Sequence, residues 1–464
     1  MDRCRPFSRK ELEKLIKESS DSEPFSAGSS DNYEPDSDEE AGSDTSDMSS
    51  SSLSETMQTT VHLNSDINPA QPPQVIVDRN LVLDWVIPEK KFEPAKILLP
   101  ERECMLAPDI TKQLKPMQIF HKVFPHSLYL HIANCTNERL KILNQLKKRN
   151  EKMTNKGKIQ KLFGCMFIMC YNRLPSLKNY WSKKESMGNS TIQKTFSRDR
   201  YMTLSSKIYF ASPQKPPNAS KTYYIEYLLS CFKYTFPKCR QDSQYQSIDE
   251  SMTKFKGRSS MKQYMPLKPT KRGIKLWLRC DADSGYTYDV NVYSGKEDPI
   301  PAKNQSLTLG ERVVTALAST VKNNYVVLCF DRFFTSVNLL LSLDYAALGT
   351  CMSNHKNVPT MGDKLQKGES QFRCTSSGLL CVKWQEIKEV LLMSNCHKPN
   401  LTTIIKKSKT GEQQNIECPE AISFYRKKCK GLIGLINLLG YMIMIENQQR
   451  GGKGCFTHSS ICVQ

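Results

Sequence analysis

The sequence predicts a mixed α/β protein in which an acidic N-terminal region precedes a helical region and a strand-rich core. Three observations lead to this prediction: residues 1–78 are rich in Ser, Asp and Glu, apolar residues recur at helical spacing from about 108 to 235, and strand-like runs begin at Tyr245. The chain has 464 residues, enough for two or three domains with a large core.

The N-terminal region 1–78 contains few aromatic residues, so it buries too little apolar surface to offset the conformational entropy of the chain. We therefore expect it to be disordered. Residues 11–60 hold fourteen acidic residues and two lysines, although the whole chain has a formal net charge of +19. The rest of the protein is therefore strongly basic, which favours a nucleic-acid partner over an ordinary solvated basic surface.

The region 79–240 is predicted to be mainly helical. Residues 156–174 carry apolar side chains at helical spacing, and Leu174-Pro175-Ser176 ends this helix because the residue before a proline avoids the helical conformation. Ser197 is expected to cap a further helix, since its side chain accepts a hydrogen bond from the first turn.

The region 241–359 contains three strands, a helix, a strand, a helix and a strand, which is the element order of an RNase H-like core. The three strand-like runs are 245–257, 274–282 and 286–295, the first helix is 311–321, and the fourth strand is 325–331. The fourth strand is continuously apolar, as expected of a strand buried on both faces. Residues 360–417 contain further β-rich runs and are interpreted as an insertion.

Asp249 and Asp331 are the candidate catalytic and metal-binding residues. Each lies on or just after an apolar strand, where an unpaired carboxylate is costly to desolvate. Two carboxylates on neighbouring strands become reasonable if they share divalent metals, and oxygen ligands suit Mg²⁺. Spacing alone leaves open that both are ordinary turn or capping aspartates.

Basic residues cluster between two of the predicted strands. Tyr264 and Trp277 lie among them, and basic residues interleaved with aromatic ones suit a surface that follows a nucleic-acid backbone. We therefore predict that this hairpin binds DNA, with a plain solvated hairpin as the alternative. The predicted DNA-binding residues are Lys254, Lys256, Arg258, Lys262, Lys268, Lys271, Arg272 and Lys275.

The 17 cysteines are spread singly, without any C-x-x-C pair, so we predict neither a zinc ribbon nor a thioredoxin-like motif. The N-terminus is charged where a secretory signal needs an apolar run, and no stretch of about 18 apolar residues occurs. We expect reduced thiols and no membrane partner. The neighbours Cys396 and His397 are interpreted as structural rather than metal-binding.

Several segments resemble the piggyBac transposase family, including its domesticated members in animals. The matching text is SIDESMTKFKGRSSMKQYMPLKPTKRGIKLWLRCDADSGYTYDVNVYSG, VVLCFDRFFTSVNLL, GLLCVKWQEIKEVLLMSN and CPEAISFYRK, preceded by GCMFIMCYNRLPSLKNYWS and SRDRYMTLSSKIYF in the helical region. The resemblance covers about residues 80–428, and its length makes it far more specific than a short motif.

The resemblance implies an RNase H-like (retroviral-integrase-like) catalytic core with three catalytic aspartates that use Mg²⁺ or Mn²⁺. Asp249 in SIDES matches the first and Asp331 in CFDRFF matches the second. It also implies that the region 79–240 serves in dimerisation and DNA binding. The implied partners are a second copy of the chain and double-stranded DNA, as transposon ends and TTAA targets, and the implied location is the nucleus.

The third family aspartate is missing. A motif like YNKxMxGVDRxDQ is replaced by YRKKCKGLIGLINLLGY, and its two aspartates align with Ile433 and Ile436. Hypothetical codons for CKGLIGLIN, read one base earlier, give MQGVDRFDQ, and the same shift turns IENQQRGGKGCFT into the family-like DRKSAKRWKRLFY. We therefore interpret 418–464 as a remnant of the third motif with an aberrant, truncated tail, frame-shifted after about residue 428; ordinary divergence is the alternative.

Three hypotheses about the function follow. The chain is a transposase-derived protein that is catalytically incomplete, a domesticated protein that binds DNA or chromatin without catalysis, or the product of a non-functional gene or faulty gene prediction. The first is the primary hypothesis, and the sequence does not rank the other two.

Overall fold

The computed structural model describes residues 83–428, apart from 148–149, 185–186, 256, 258, 267, 269, 296–306, 363 and 408–412. Three predictions concern residues outside this part of the chain. They are the disorder of the region 1–78, the roles of Lys256 and Arg258 in DNA binding, and the placement of Ile433 in the tail.

Helices occupy the first half of the described chain, as the sequence predicts. They are α1 (Pro116–Val123), α2 (His126–Lys147), α3 (Lys156–Tyr171), a short 3₁₀ helix (Leu177–Trp181), α4 (Ser190–Thr195), α5 (Arg198–Lys207) and α6 (Tyr223–Cys239). The predicted cap of α5 is present, because the Ser197 side chain accepts a hydrogen bond from the Arg200 backbone N–H. Phe124, Ile159 and Leu204 are fully buried in the apolar cluster that these helices share. None of the described helices is long and apolar enough to cross a membrane.

Strands dominate the second half of the described chain. They are β1 (Tyr245–Lys254), β2 (Lys262–Tyr264), β3 (Arg272–Asp281), β4 (Thr287–Val292), β5 (Val327–Phe330), β6 (Ala346–Thr350), β7 (Ser370–Cys374), β8 (Leu380–Gln385), β9 (Glu389–Ser394), β10 (Leu401–Lys407) and β11 (Gln413–Pro419). Three helices accompany them: α7 (Leu309–Ala318), α8 (Val337–Ser342) and α9 (Glu420–Lys428). All seven elements predicted between residues 241 and 359 are present, and the short strand β2 is an addition.

Nine of the strands form one mixed sheet. Its order is β2-β3-β1-β5-β6-β9-β8-β7, and β4 also pairs with β3. β3 pairs antiparallel with both β1 and β4, whereas β1, β5 and β6 are parallel neighbours. The sheet therefore has a parallel centre, β1-β5-β6, with antiparallel pairs on both sides of it, and β1 is the strand at which the β4-β3 side meets this centre.

The segment interpreted as an insertion lengthens this same sheet. β9 pairs antiparallel with β6, so that Ser394 lies opposite Leu348, and β8 and β7 follow outward. Trp384 of β8 is fully buried, and its indole Nε1 donates a hydrogen bond to the Glu417 carbonyl of the β10–β11 hairpin at 3.1 Å. Strands from both regions therefore share one hydrophobic core.

Different helices cover the two faces of the sheet. On one face, α7 and α8 pack over Ile248 and Phe330. On the other face, α9 packs in the apolar cluster that contains Cys329. Side chains alternate along a strand, so Ser247 and Asp249 of β1 both point toward the face that α9 covers.

Buried Arg279 of β3 joins charged residues from separate parts of the chain. Its Nη1 lies 3.2 Å from Asp242 Oδ1, and its Nη2 donates to Thr320 Oγ1 at 2.9 Å. Thr320 Oγ1 lies 2.9 Å from Asp289 Oδ2, and the Lys322 backbone N–H donates to Asp242 Oδ2 at 3.0 Å. This network ties β3 and β4 to the segment before β1 and to the turn after α7.

Replacing Arg279 with Met should destabilise the fold strongly. The change leaves the buried Asp242 carboxylate without its ion-pair partner, which typically costs about 3–5 kcal/mol. We expect urea denaturation to show a loss of this size in the free energy of unfolding. Arg198→Met is the matched control, because Arg198 pairs with Asp199 at the surface and such pairs contribute at most about 1 kcal/mol. Equal losses in the two variants would contradict the structural role of the network.

Candidate active site

The parallel pairing of β1 with β5 brings the two predicted aspartates together. Ile248 lies opposite Phe330 in this pairing, so the next residues, Asp249 and Asp331, lie side by side where β5 ends. A carboxylate oxygen of each lies within 4.8 Å of the other. The predicted proximity of the two side chains is therefore observed.

A third carboxylate lies in the same place. One oxygen of Glu250 is within 4.8 Å of an oxygen of Asp249 and of Asp331, and we call these three residues the carboxylate cluster. Glu250 is buried, whereas the two aspartates are half-buried. Sequence reasoning missed it because alternation along β1 assigns neighbouring residues to opposite faces. The sequence feature that could have identified Glu250 is that it is an acidic residue directly after Asp249.

The loop after β5 fixes the position of Asp331. The Phe333 backbone N–H donates to Asp331 Oδ1 at 3.0 Å, and Thr335 Oγ1 donates to the Asp331 carbonyl at 2.8 Å. Ser336 then caps α8 and donates a hydrogen bond from its Oγ to Glu311 Oε1 at 2.5 Å. Because both ends of the loop are held, the Asp331 carboxylate has little freedom to leave the cluster.

Two glycines allow this loop to pack closely against its neighbours. A Cβ on Gly310 of α7 would lie 2.6 Å from the Phe333 carbonyl oxygen. A Cβ on Gly349 of β6 would lie 2.2 Å from Thr335 Oγ1 and 2.6 Å from the Phe330 carbonyl oxygen. Any larger residue at either position would push the loop that carries Asp331 out of place.

Two lysines bring positive charge to the cluster. Lys268 Nζ lies 2.7 Å from Glu250 Oε1, and Lys275 Nζ lies 4.0 Å from the centre of the Trp277 ring. Burial acts to lower the pKa of Lys268, but the charges of Glu250 and Asp249 outweigh it and raise that pKa. Burial lowers the pKa of Lys275. Both residues were predicted to contact DNA, and the structure places them beside the carboxylates.

The pKa values of the three carboxyl groups shift in opposite directions. Burial, with the charges of Glu250 and Asp331, raises the pKa of Asp249 well above its usual range. Burial and the Glu250 charge raise the pKa of Asp331 to about 6. Burial also disfavours ionised Glu250, but Lys268 and Lys275 outweigh it, so the pKa of Glu250 is lowered. The three acids outnumber the two ammonium groups, so the like charges of neighbouring carboxylates raise the pKa of Asp249 and Asp331.

The remaining predicted DNA-binding residues lie farther along the β1–β3 hairpin. Lys271 and Arg272 are exposed, and the Arg272 guanidinium lies 4.9 Å from the centre of the exposed Tyr264 ring. Lys254 and Lys262 are half-buried. Lys256 and Arg258 lie outside the described residues.

Trp277 is buried, whereas the sequence pattern predicts that it lies on the surface of the basic hairpin. The sequence pattern placed its ring among the basic residues of a surface, but the ring is 1% exposed and packs in the core over Ile248. Alternation along β3 explains the difference, because Trp277 lies opposite Glu250 on the face that α7 covers. Tyr264 is therefore the exposed aromatic residue of the pair.

The neighbours Cys396 and His397 lie beside Ser394 in the protein interior. Cys396 and His397 are buried, and His397 Nδ1 lies 2.9 Å from Ser394 Oγ. Burial lowers the pKa of His397 to about 4. In the described part of the chain, the carboxylate cluster is the group of three or more ligand-type side chains that converge on one point.

The described chain ends beside the cluster. The Phe424 ring of α9 lies 5.3 Å from the Tyr245 ring, and the Lys428 carbonyl accepts a hydrogen bond from Ser247 Oγ at 3.4 Å. α9 therefore advances along β1 in the direction of Asp249, on the face to which Asp249 points. Ile433, predicted from the sequence to align with the third family aspartate, lies outside the described residues.

Comparison with known proteins identifies the fold and the family. A family model described as "Transposase IS4" matches residues 115–437. "PiggyBac transposable element-derived protein 3" of Homo sapiens is 26% identical over 245 residues, which are 50% of this chain and 40% of that protein. "PiggyBac transposable element-derived protein 2" of Homo sapiens is 22% identical over 356 residues, which are 73% of this chain and 58% of that protein.

A solved structure shares the fold. The "Cryo-EM structure of piggyBac transposase synaptic complex with hairpin DNA" superposes with a TM-score of 0.62 at 19% identity, and the match covers 74% of this chain and 76% of that one. The chain spans less than two thirds of the length of either curated relative. Because the family model covers well over half of the chain, and both relatives and the solved structure agree with it, the chain belongs to the piggyBac-type transposase family.

Proposed function

We propose that this chain is a piggyBac-type transposase-derived protein with an RNase H-like core that binds DNA and a divalent metal but is catalytically incomplete. The observation that carries the proposal is the carboxylate cluster of Asp249, Glu250 and Asp331, which lies where β5 ends beside the middle of the parallel strand β1. The strand order β4-β3-β1-β5-β6, antiparallel on one side of β1 and parallel on the other, supports an RNase H-like core.

The cluster fits a small divalent cation such as Mg²⁺ or Mn²⁺. Its ligand atoms are oxygens, which Mg²⁺ prefers at 2.0–2.1 Å, so two oxygens on one ion lie at most about 4.2 Å apart. The observed limit of 4.8 Å leaves only a short side-chain shift to make. When bound, such a cation activates an attacking oxygen or stabilises a leaving oxygen in phosphodiester chemistry.

Basic and aromatic residues of this chain provide a surface that can bind the DNA backbone. Lys271 and Arg272 are exposed on the hairpin that leads to the cluster, beside the exposed Tyr264 ring. Lys268 and Lys275 continue this positive charge inward to the carboxylates. The proposed partners are double-stranded DNA, including transposon ends and TTAA targets, and a second copy of the chain bound through the helical region 79–240. The proposed location is the nucleus.

Catalytic incompleteness follows from position 433. This position aligns with the third family aspartate and follows α9 in the sequence. An acidic residue there would complete the family set, whereas Ile433 supplies no ligand. A protein that binds DNA without catalysis is the alternative, and the absence of this ligand is the observation that favours it.

Metal affinity should fall as the pH drops through about 6. The raised pKa of Asp331, about 6, means that this carboxyl is protonated below that pH and then no longer binds a cation. Electron paramagnetic resonance of free Mn²⁺ would measure the affinity between about pH 5 and 8. Asp331→Asn should bind weakly without this step, and the exposed Asp199→Asn should behave as the unchanged chain. A flat profile in the unchanged chain would argue against the assignment of Asp331.

DNA binding should depend on the two exposed hairpin cations. Each cation that neutralises a phosphate contributes about 0.9 to the slope of log affinity against log salt concentration. Lys271→Gln with Arg272→Gln should therefore reduce that slope by about 1.8 and weaken binding to random duplexes. Lys367→Gln, an exposed lysine outside the hairpin, is the control. An unchanged slope in the double variant would remove the hairpin from the DNA-binding surface.

We expect no measurable transposon excision by this chain. Loss of one electrostatic partner at a catalytic site costs about 10²–10³ in rate, and loss of a metal ligand should cost at least about as much. A reporter flanked by the element's own ends would measure excision by the chain, by Ile433→Asp and by a version read in the shifted frame after residue 428. Excision by the unchanged chain would contradict incompleteness. Excision by the frame-shifted version alone would assign the loss to the whole segment rather than to one aspartate.

A further inference from the structure

We propose that Glu250 is a third oxygen ligand of the cation, so that residues of the described chain hold one divalent ion without an acidic side chain at position 433. This inference rests on the proposed metal site and adds a residue to it. Its basis is geometric: a Glu250 oxygen lies within 4.8 Å of an oxygen of both Asp249 and Asp331.

Burial makes an uncompensated Glu250 carboxylate expensive. The residue is 7% exposed, and an isolated buried charge must be neutralised, paired or bound to a metal. Its observed ion-pair partner is Lys268 Nζ at 2.7 Å. A single ion pair of this kind needs only one carboxylate, yet two further carboxylates converge on the same point. Pairing with Lys268 therefore does not account for the cluster as a whole.

The short distance between Glu250 and Asp249 leads to the same conclusion. One oxygen of the Glu250 carboxylate lies within 4.8 Å of an oxygen of the Asp249 carboxylate. Two carboxylates in contact repel each other unless a proton or a cation lies between them. Divalent metals are bound by such facing carboxylates, since the ion replaces the shared proton and binds an oxygen of each. With Asp331, the pair offers three oxygens, and waters can complete the coordination.

Lys268 competes with the metal for Glu250 in this arrangement. Its ammonium already occupies one side of Glu250, and the Lys275 ammonium over the Trp277 ring adds a second positive charge near the carboxylates. Two of the three negative charges are therefore balanced before any metal binds. A divalent ion must displace Lys268 from Glu250 or share Glu250 with it, so removal of the lysine should strengthen metal binding.

Mn²⁺ binding to the full chain tests the inference, with free Mn²⁺ measured by electron paramagnetic resonance. Glu250→Gln should weaken binding at least about tenfold, a loss of the size seen when metal-site partners are removed. Lys268→Met should strengthen binding. Glu250→Gln with Lys268→Met should stay at least about tenfold weaker than Lys268→Met alone. This double variant has the same local net charge as the unchanged chain, so it separates a lost ligand from a changed field.

Affinity of the double variant equal to that of Lys268→Met would overturn the inference, because Glu250 would then act only through Lys268. Glu389→Gln is the matched control: it removes a glutamate that pairs with Lys383 at 3.0 Å in the same sheet, away from the cluster, and should leave Mn²⁺ affinity unchanged. Circular dichroism without metal would show whether each variant is folded. The double variant keeps the charge balance if Glu250→Gln alone does not fold.

Asp331→Asn separates this inference from the proposed function. Loss of Mn²⁺ binding in Asp331→Asn, with unchanged binding in both Glu250→Gln variants relative to their parents, would keep the metal site and remove Glu250 from it. Unchanged binding in Asp331→Asn would instead overturn the metal site itself. Weakened binding in both Asp331→Asn and the Glu250→Gln variants is the result that we expect.

Discussion

The register between the parallel strands β1 and β5 is the constraint on which the candidate site depends. Ile248 lies opposite Phe330, and both side chains are buried in the apolar cluster under α7 and α8. A slip of one residue would exchange Leu328 and Phe330 with the smaller Val327 and Cys329 between two closely packed faces, so the packing of the core fixes the register. The same register places Asp249 and Asp331 side by side. The hydrophobic core therefore determines where the carboxylates meet.

Local patterns in the sequence predicted most of the elements and two members of the cluster. The continuous apolar run that ends in Asp331 identified β5, and Ser197 marked the start of α5. Glu250 was not predicted as a member, because alternation assigns it away from Asp249 and only the end of β5 lets the three oxygens converge. The pairing of Lys268 with Glu250 depends on how the β2–β3 connection folds back, which no local pattern encodes.

Local sequence patterns also do not predict the extension of the sheet beyond β6. The β-rich runs after residue 360 were recognised as strands, but their pairing partner was not. β9 pairs with β6 although about 45 residues separate them, and such long-range pairing is set by the burial of Leu348, Leu392 and Trp384 in a common core. Long-range pairing also decides whether a single residue is exposed or buried. The sequence pattern predicts that Trp277 is a surface aromatic residue of the hairpin, but its pairing opposite Glu250 places it in the core.

The network around Arg279 and the carboxylate cluster differ in charge balance. This difference indicates that the first has a structural role and the second a functional one. Around Arg279, the carboxylates of Asp242 and Asp289 meet two cations, since Lys233 Nζ lies 3.7 Å from Asp289 Oδ1. That cluster is balanced and holds strands together. The carboxylate cluster has three acids and two lysines, so its third acid has no lysine partner and is neutralised by a proton or by a cation, in agreement with the raised pKa of Asp249 and of Asp331. A fold gains no stability from such an excess of acids. A cation from outside the chain can replace the proton, which is why the metal site is proposed there and not around Arg279.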